Sequence, residues 1–157
     1  MSLTNVTHTT FTIERTFPQA PERVFAAFAD PQKKRRWYGE AENRKPEEFQ
    51  MDFRVGGNDL LRLRLGPETP FPGVTITAHT VYQDIVPDGR IVYAYTMTLG
   101  EKRISASLAT FEFRPSGTGT QLLFTEQGAF FEGADGAEMR QGGWVHLFDS
   151  LGAELGR

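Results

Sequence analysis

DGAEMRQGGWVHLFDSLGAEL, residues 135–155, is the stretch around which the chain is organised. At 100° per residue, Ala137, Trp144, Leu147, Phe148, Leu151 and Leu155 fall on one stripe. Glu138, His146, Asp149, Ser150 and Glu154 fall away from it. Asp135 followed by Glu138 reads as a capping box that marks the start. A long helix with one apolar stripe, in a chain that otherwise reads mostly as strands, is expected to lie on a sheet.

Composition narrows the class. The 157 residues suit one domain, 1–157, with enough length to bury a core. A formal charge of −3 argues against a nucleic-acid partner. The absence of cysteine excludes disulfides and thiolate metal sites. MSLTNVTHTT at the start has neither a basic cluster nor an apolar run, so no signal peptide is expected. No apolar stretch approaches ~18 residues, so no membrane span is expected and the location is read as cytoplasmic. The 13 Phe, 4 Tyr and 2 Trp supply either a large aromatic core or an aromatic-lined pocket.

Phe11, Ile13 and Phe17 alternate with polar residues and predict a strand from about Val6 to Phe17. Arg15 shares the apolar parity. An inward arginine needs a partner, and Glu126, which shares the parity of Leu122 and Phe124, is the expected one in a fold that pairs the last strand with the first. Pro21 opens a short helix with Val24, Phe25 and Phe28 on its apolar side. Asp30-Pro31 ends it and caps a second one through Trp37. Gly39 to Lys45 reads as an exposed connection. Phe49, Met51, Phe53 and Val55 then alternate as a strand, followed by a Gly56-Gly57-Asn58 turn. Leu61, Leu63 and Leu65 mark the cleanest half-buried strand. Strands at Val74–Ile85, Arg90–Leu99, Ile104–Phe113 and Gln121–Ala129 complete an antiparallel meander. The mixed parity of Ile104 and Leu108 against Phe111 and Phe113 requires a bulge or burial on both sides. No repeat, linker or low-complexity tract divides the chain. The architecture is α+β: a curved antiparallel sheet of about six to seven strands around a long C-terminal helix, with two short helices after the first strand. A helix that only partly fills such a concavity leaves a cavity.

Five segments in this order carry a likeness to a known family: IERTFPQAPERVFAAFADPQKKRRWYG, DFRVGG, VPDGRIVYAY, GTGTQLLFTEQGAF and GGWVHLFDSL. The chain resembles homologues of the activator of the heat-shock protein 90 ATPase. These lie within the START and birch-pollen-allergen superfamily, also called SRPBCC, whose fold is the helix-grip. The resemblance implies a cavity for a small apolar or amphipathic ligand. It also implies two alternatives, a chaperone ATPase-regulating module and a cyclase- or hydrolase-like enzyme in the same cavity. The eukaryotic activator carries a further N-terminal domain, and this chain resembles only the other one.

The candidate cavity residues are Trp37, Tyr38, Met51, Phe53, Tyr93, Tyr95, Phe124, Arg140, Trp144 and Phe148. Arg140, one turn before Trp144, either holds a ligand carboxylate or phosphate or lays its stem on the core with its head in water. Trp144 and Phe148 form a cavity wall, a core, or both. Trp37 and Tyr38 form a lid, as the resemblance places them, or a surface staple. Tyr93 and Tyr95 share a strand face that points inward to a ligand or outward to solvent. Lys33-Lys34-Arg35-Arg36, the only dense basic run, reads as a solvated helix face in an acidic chain, with contact to acidic lipid or nucleic acid as the alternative. His8, His79 and His146 lack ligand spacing, so neither metal nor cofactor is expected. No nucleophile or phosphate-loop motif appears, and Glu112 or Glu126 is the candidate general base of an enzyme. Binding without catalysis is the leading expectation; a homodimer and a chaperone contact remain compatible with the sequence.

Overall fold

The computed structural model describes residues 5–132 and 136–157. Seven strands form one antiparallel sheet: β1 Val6–Phe17, β2 Glu48–Met51, β3 Asn58–Arg64, β4 Thr75–Val86, β5 Arg90–Leu99, β6 Lys102–Ser116 and β7 Gly119–Phe131. Their spatial order is β1-β7-β6-β5-β4-β3-β2. Between β1 and β2 lie helices α1, Pro21–Ala29, and α2, Pro31–Lys34, a π turn Arg35–Gly39 and a 3₁₀ turn Ala41–Asn43. The chain closes with helix α3, Ala137–Leu155, against the concave face of the curved sheet. This is the α+β helix-grip architecture expected from the sequence.

The local chemistry accounts for each boundary. Pro21 sits in the first turn of α1, where its missing N–H costs nothing. The Asp30 carboxylate accepts from the backbone N–H groups of Gln32 and Lys33, at 2.9 and 3.3 Å, and starts α2. The capping box proposed for α3 involves Asp135, which lies outside the described residues. The helix N-cap is Gly136, with no side-chain hydrogen bond. Trp144, Phe148, Leu151 and Leu155 are buried along α3 and together form the stripe against the sheet.

The core is a chain of touching aromatic rings. Phe124 on β7 lies 4.6 Å from Trp144 and 4.9 Å from Phe111, centre to centre. Phe28 of α1 meets Phe111 at 5.1 Å and Trp37 at 4.9 Å. The two Phe28 contacts are edge-to-face and the two Phe124 contacts are tilted at 40°; aromatic pairs of this kind add about 0.5–1.5 kcal/mol each beyond burial. The β6 parity is resolved by a bulge. Met97 pairs with Ser105 but Thr98 with Arg103, so Ile104 is the extra residue. After it, Ser105, Ser107, Ala109, Phe111 and Phe113 are the buried set, and Leu108 is exposed.

Five expectations are corrected. First, β2 ends at Met51, and Val55 is exposed, because a tight turn from Asp52 to Gly57 takes over. Second, Gly39 to Lys45 is no exposed connection. Gly39 and Ala41 are buried, Gly39 close against Phe49 and Leu61, because the segment folds over the β2–β3 end of the sheet. Third, Arg15 does not pair with Glu126. It stands opposite Leu122, four residues along β7, and its guanidinium meets Asp149 of α3 at 2.8 Å. Fourth, the basic run is not a solvated face. Lys34 is 3% exposed, with its Nζ 3.0 Å from Asp59 and 3.1 Å from the Tyr82 hydroxyl. Fifth, Glu154 is buried, because the last turn of α3 packs on the π turn as well as on the sheet.

Glu154 accepts two hydrogen bonds from Arg36, at 2.9 and 2.7 Å. Those bonds hold its carboxyl below the ordinary carboxylate range, against the opposing effect of burial. A depressed native value means that the unfolded chain takes up the proton first. The pair therefore stabilises the fold above about pH 4.3 and loses that contribution as pH falls through the native value. Glu154→Gln should lower the urea midpoint at neutral pH, and the difference from the parent protein should shrink in acid.

Candidate functional site

A cavity of about 210 Å³ lies between α3 and the β3–β5 part of the sheet. Leu61, Leu63, Leu65, Ile76, Ala78 and Met97 form its sheet wall. Leu63 and Ile76 are direct register partners, as are Leu61 and Ala78, and Ala78 and Met97. The wall is therefore one continuous apolar surface across three strands. Leu147, Trp144 and Gly143 face it from α3, and Tyr38 closes the side toward α2.

The inner end is polar. Glu126 on β7 is fully buried and accepts from four side chains. The Tyr95 hydroxyl donates to it at 2.6 Å, Ser107 at 2.9 Å, the Trp144 indole N–H at 3.0 Å and Arg140 at 3.4 Å. Arg140 also donates to Ser105 at 2.8 Å and to the Tyr95 oxygen at 3.1 Å. Its guanidinium carbon lies 5.1 Å from the centre of the Phe130 ring. Tyr95, Trp144 and Arg140 line the cavity, and Glu126 stands behind them. Burial pushes the Tyr95 phenol well up, so it is a lasting donor; the Arg140 charge opposes that shift and the Glu126 charge adds to it.

The outer end is the segment Ala41–Arg44. Exposed Glu42 and Met139 mark the rim, and half-buried Arg44 lies beside them. Glu42 and Asn43 both adopt left-handed backbone, with φ of 59° and 61°. Asparagine tolerates this region and glutamate does so at a cost of about 1–2 kcal/mol. The Arg44 Nε donates to the Ala41 carbonyl at 2.9 Å and helps to hold the turn.

The sequence-derived candidates divide in two. Tyr38, Tyr95, Arg140 and Trp144 meet at the cavity. Tyr93, Phe124 and Phe148 are buried in the aromatic core. Trp37, 1% exposed, donates its N–H to the Ala27 carbonyl at 2.8 Å, so it is core and only Tyr38 of the lid pair faces the hollow. Phe53 packs on Phe25 and Tyr82, at 5.8 and 5.1 Å. Met51 stands at the end of β2 opposite Asp59, outside the cavity. Glu112 pairs with Arg114 at 3.0 Å, on the side of β6 away from buried Phe111 and Phe113. The candidate set did not include the sheet wall, Leu61, Leu63, Leu65, Ile76, Ala78 and Met97, nor Leu147 and Gly143 of α3, nor Glu42, Arg44 and Met139 at the rim. One signal was present: Gly142-Gly143 interrupts a helix, where each glycine costs about 1 kcal/mol against alanine. A Cβ at Gly143 would meet no atom within 4 Å.

The model of the family described as "Activator of Hsp90 ATPase homolog 1-like protein" matches residues 18–156. The chain belongs to that family. No curated protein sequence matches it. Among solved structures, this family member is similar to the Mll3558 protein of Rhizobium loti, at 48% identity and a TM-score of 0.85, covering 96% of this chain and 99% of that one. A putative uncharacterized protein of Rhizobium leguminosarum is 35% identical, with a TM-score of 0.93 and 99% of both chains covered. Protein CV1439 of Chromobacterium violaceum is 25% identical, with a TM-score of 0.72, 93% of this chain and 96% of that one covered. The resemblance read from the five segments is thereby confirmed, and with it the SRPBCC fold. Among the described residues no helix is long and apolar enough to cross a membrane.

Glu126 and Arg140 are the charges this family member buries beneath its cavity. Breaking such a buried pair costs about 3–5 kcal/mol, and here four buried donors lose their common acceptor. Glu126→Leu is expected to destabilise the protein by that amount in urea unfolding. Glu126→Gln, which keeps one acceptor oxygen for Tyr95 and Trp144, should cost less.

Proposed function

We propose that the protein binds a small, largely apolar molecule in the cavity between α3 and strands β3–β5, without chemical change to it. The observation that carries this reading is the pairing of an apolar wall, Leu61 to Met97, with a compact polar end made of Tyr95, Trp144 and Arg140. Apolar pockets with a few convergent polar groups are the usual form of small-molecule sites. The volume, about 210 Å³, is below the ~300 Å³ at which drug-sized pockets begin. It exceeds the ~150 Å³ of an engineered apolar cavity that takes benzene. A single ring with a short substituent matches it.

The polar end favours holding over reacting. The one hydroxyl hydrogen of Tyr95 and the one indole N–H of Trp144 are both given to Glu126, as is an Nη1 bond of Arg140, so these groups form a closed polar end and present no base. Glu126, the carboxylate that an acid–base mechanism would use, is covered by all four of its donors and does not line the hollow. Among the described residues the one carboxylate that lines the cavity is Glu42, out on the solvent-exposed rim.

Thermal-shift and native mass spectrometry screens with ring-sized aromatic and branched aliphatic compounds test this reading. Bound compounds should raise the melting temperature of the parent protein. Gly143→Leu should abolish that shift, because its side chain enters the hollow. The same substitution should stabilise the unliganded protein by up to about 1 kcal/mol, since leucine is the better helix former. Ligand-induced shifts that survive Gly143→Leu unchanged would place binding elsewhere.

A further inference from the structure

The cavity holds two arginines in opposite circumstances. Arg140, at the inner end, is ion-paired with Glu126. Arg44, at the outer end, is half-buried and lines the same hollow. Its Nε is used by the Ala41 carbonyl. No ion pair joins its guanidinium to a carboxylate among the described residues, although Arg35, Arg36, Arg54, Arg62, Arg64 and Arg90 all have one. The fork of Nη donors is therefore available to a planar anion, and partial burial strengthens any bond it makes. Both arginine charges oppose the upward shift that burial and Asp59 impose on the Tyr38 phenol, which places the two of them around one space. Glu42, beside Arg44, is exposed, so water and salt screen its repulsion of an anion.

We propose that the ligand is a small carboxylic acid, bound with its carboxylate on Arg44 at the rim and its ring or branched chain against Leu61, Leu63, Met97 and Trp144. This rests on the cavity being the ligand site. It reverses the polarity expected from the sequence, which put the anion on Arg140. That cation is spent on Glu126, whereas Arg44 stands at the one end where a carboxylate can keep part of its hydration.

The experiment compares 3-phenylpropanoate with the neutral 3-phenylpropan-1-ol, both followed by calorimetry and by tryptophan fluorescence, since Trp144 faces the cavity. In the parent protein the acid should bind at least about ten-fold tighter than the alcohol, the scale of one charge-assisted hydrogen bond. Arg44→Gln should bring the affinity for the acid down to that for the alcohol, and a melting temperature close to the parent's shows that the variant is folded. Arg44→Lys should retain part of the preference. Equal binding of acid and alcohol by the parent protein would overturn the proposal, and so would a preference that survives Arg44→Gln. If neither compound binds the parent protein, the ligand cavity fails with it.

Discussion

A carboxylate with no exposed surface, Glu126, is the constraint that the rest of the molecule answers. An unpaired buried charge costs many kcal/mol, so its surroundings must supply donors. They come from three different elements: Tyr95 on β5, Ser107 on β6, and Trp144 and Arg140 on α3. Ser107 and Tyr95 are register partners, so both donors approach from one level of the sheet. Satisfying one side chain thus fixes the register of the central strands, the face that α3 turns to them and the height of the helix on the sheet. Apolar burial alone would leave α3 free to slide; directional bonds to a single carboxylate do not.

The hollow follows from where those bonds are made. They pull the first half of α3 toward β5–β7, where Phe111, Phe124 and Phe148 fill the space. Strands β3 and β4 curve away at the other side, and the small residues Gly143 and Ala78 line the gap between. The Ala41–Arg44 turn then covers the β2–β3 side with two left-handed residues in succession. Each of these features gives up some stability: a glycine inside a helix, a strained glutamate, leucines without full packing partners. Their coincidence around one cavity is what the binding proposal draws on.

How much of this was legible in the sequence depends on how local each signal is. β1 and β5 fall where the alternation put them, because Pro18 and Pro87-Asp88-Gly89 punctuate them. α3 was legible because its stripe repeats over five turns. Lys34 was not, because its burial depends on Asp59 and Tyr82, 25 and 48 residues away, and a basic run carries no trace of them. Arg15 was assigned the wrong carboxylate for a related reason. Parity tells which face a residue takes but not its level along the neighbouring strand, and the register puts Phe11 rather than Arg15 opposite Glu126. Glu154 was misread since a single-stripe reading assumes one neighbour, and the end of α3 has two. Arg44 lay in a polar segment whose fold is set by contacts with β2 and β3, so its place on the cavity is a tertiary fact.

The most direct test of the central claim is a methyl-resolved NMR titration of the full chain with 3-phenylpropanoate. A ligand between helix and sheet should move the signals of Leu61, Leu63, Ile76, Met97 and Leu147 together, with one saturation curve, and leave exposed Leu108 still. Movement confined to Leu108, or no movement at all, would contradict it.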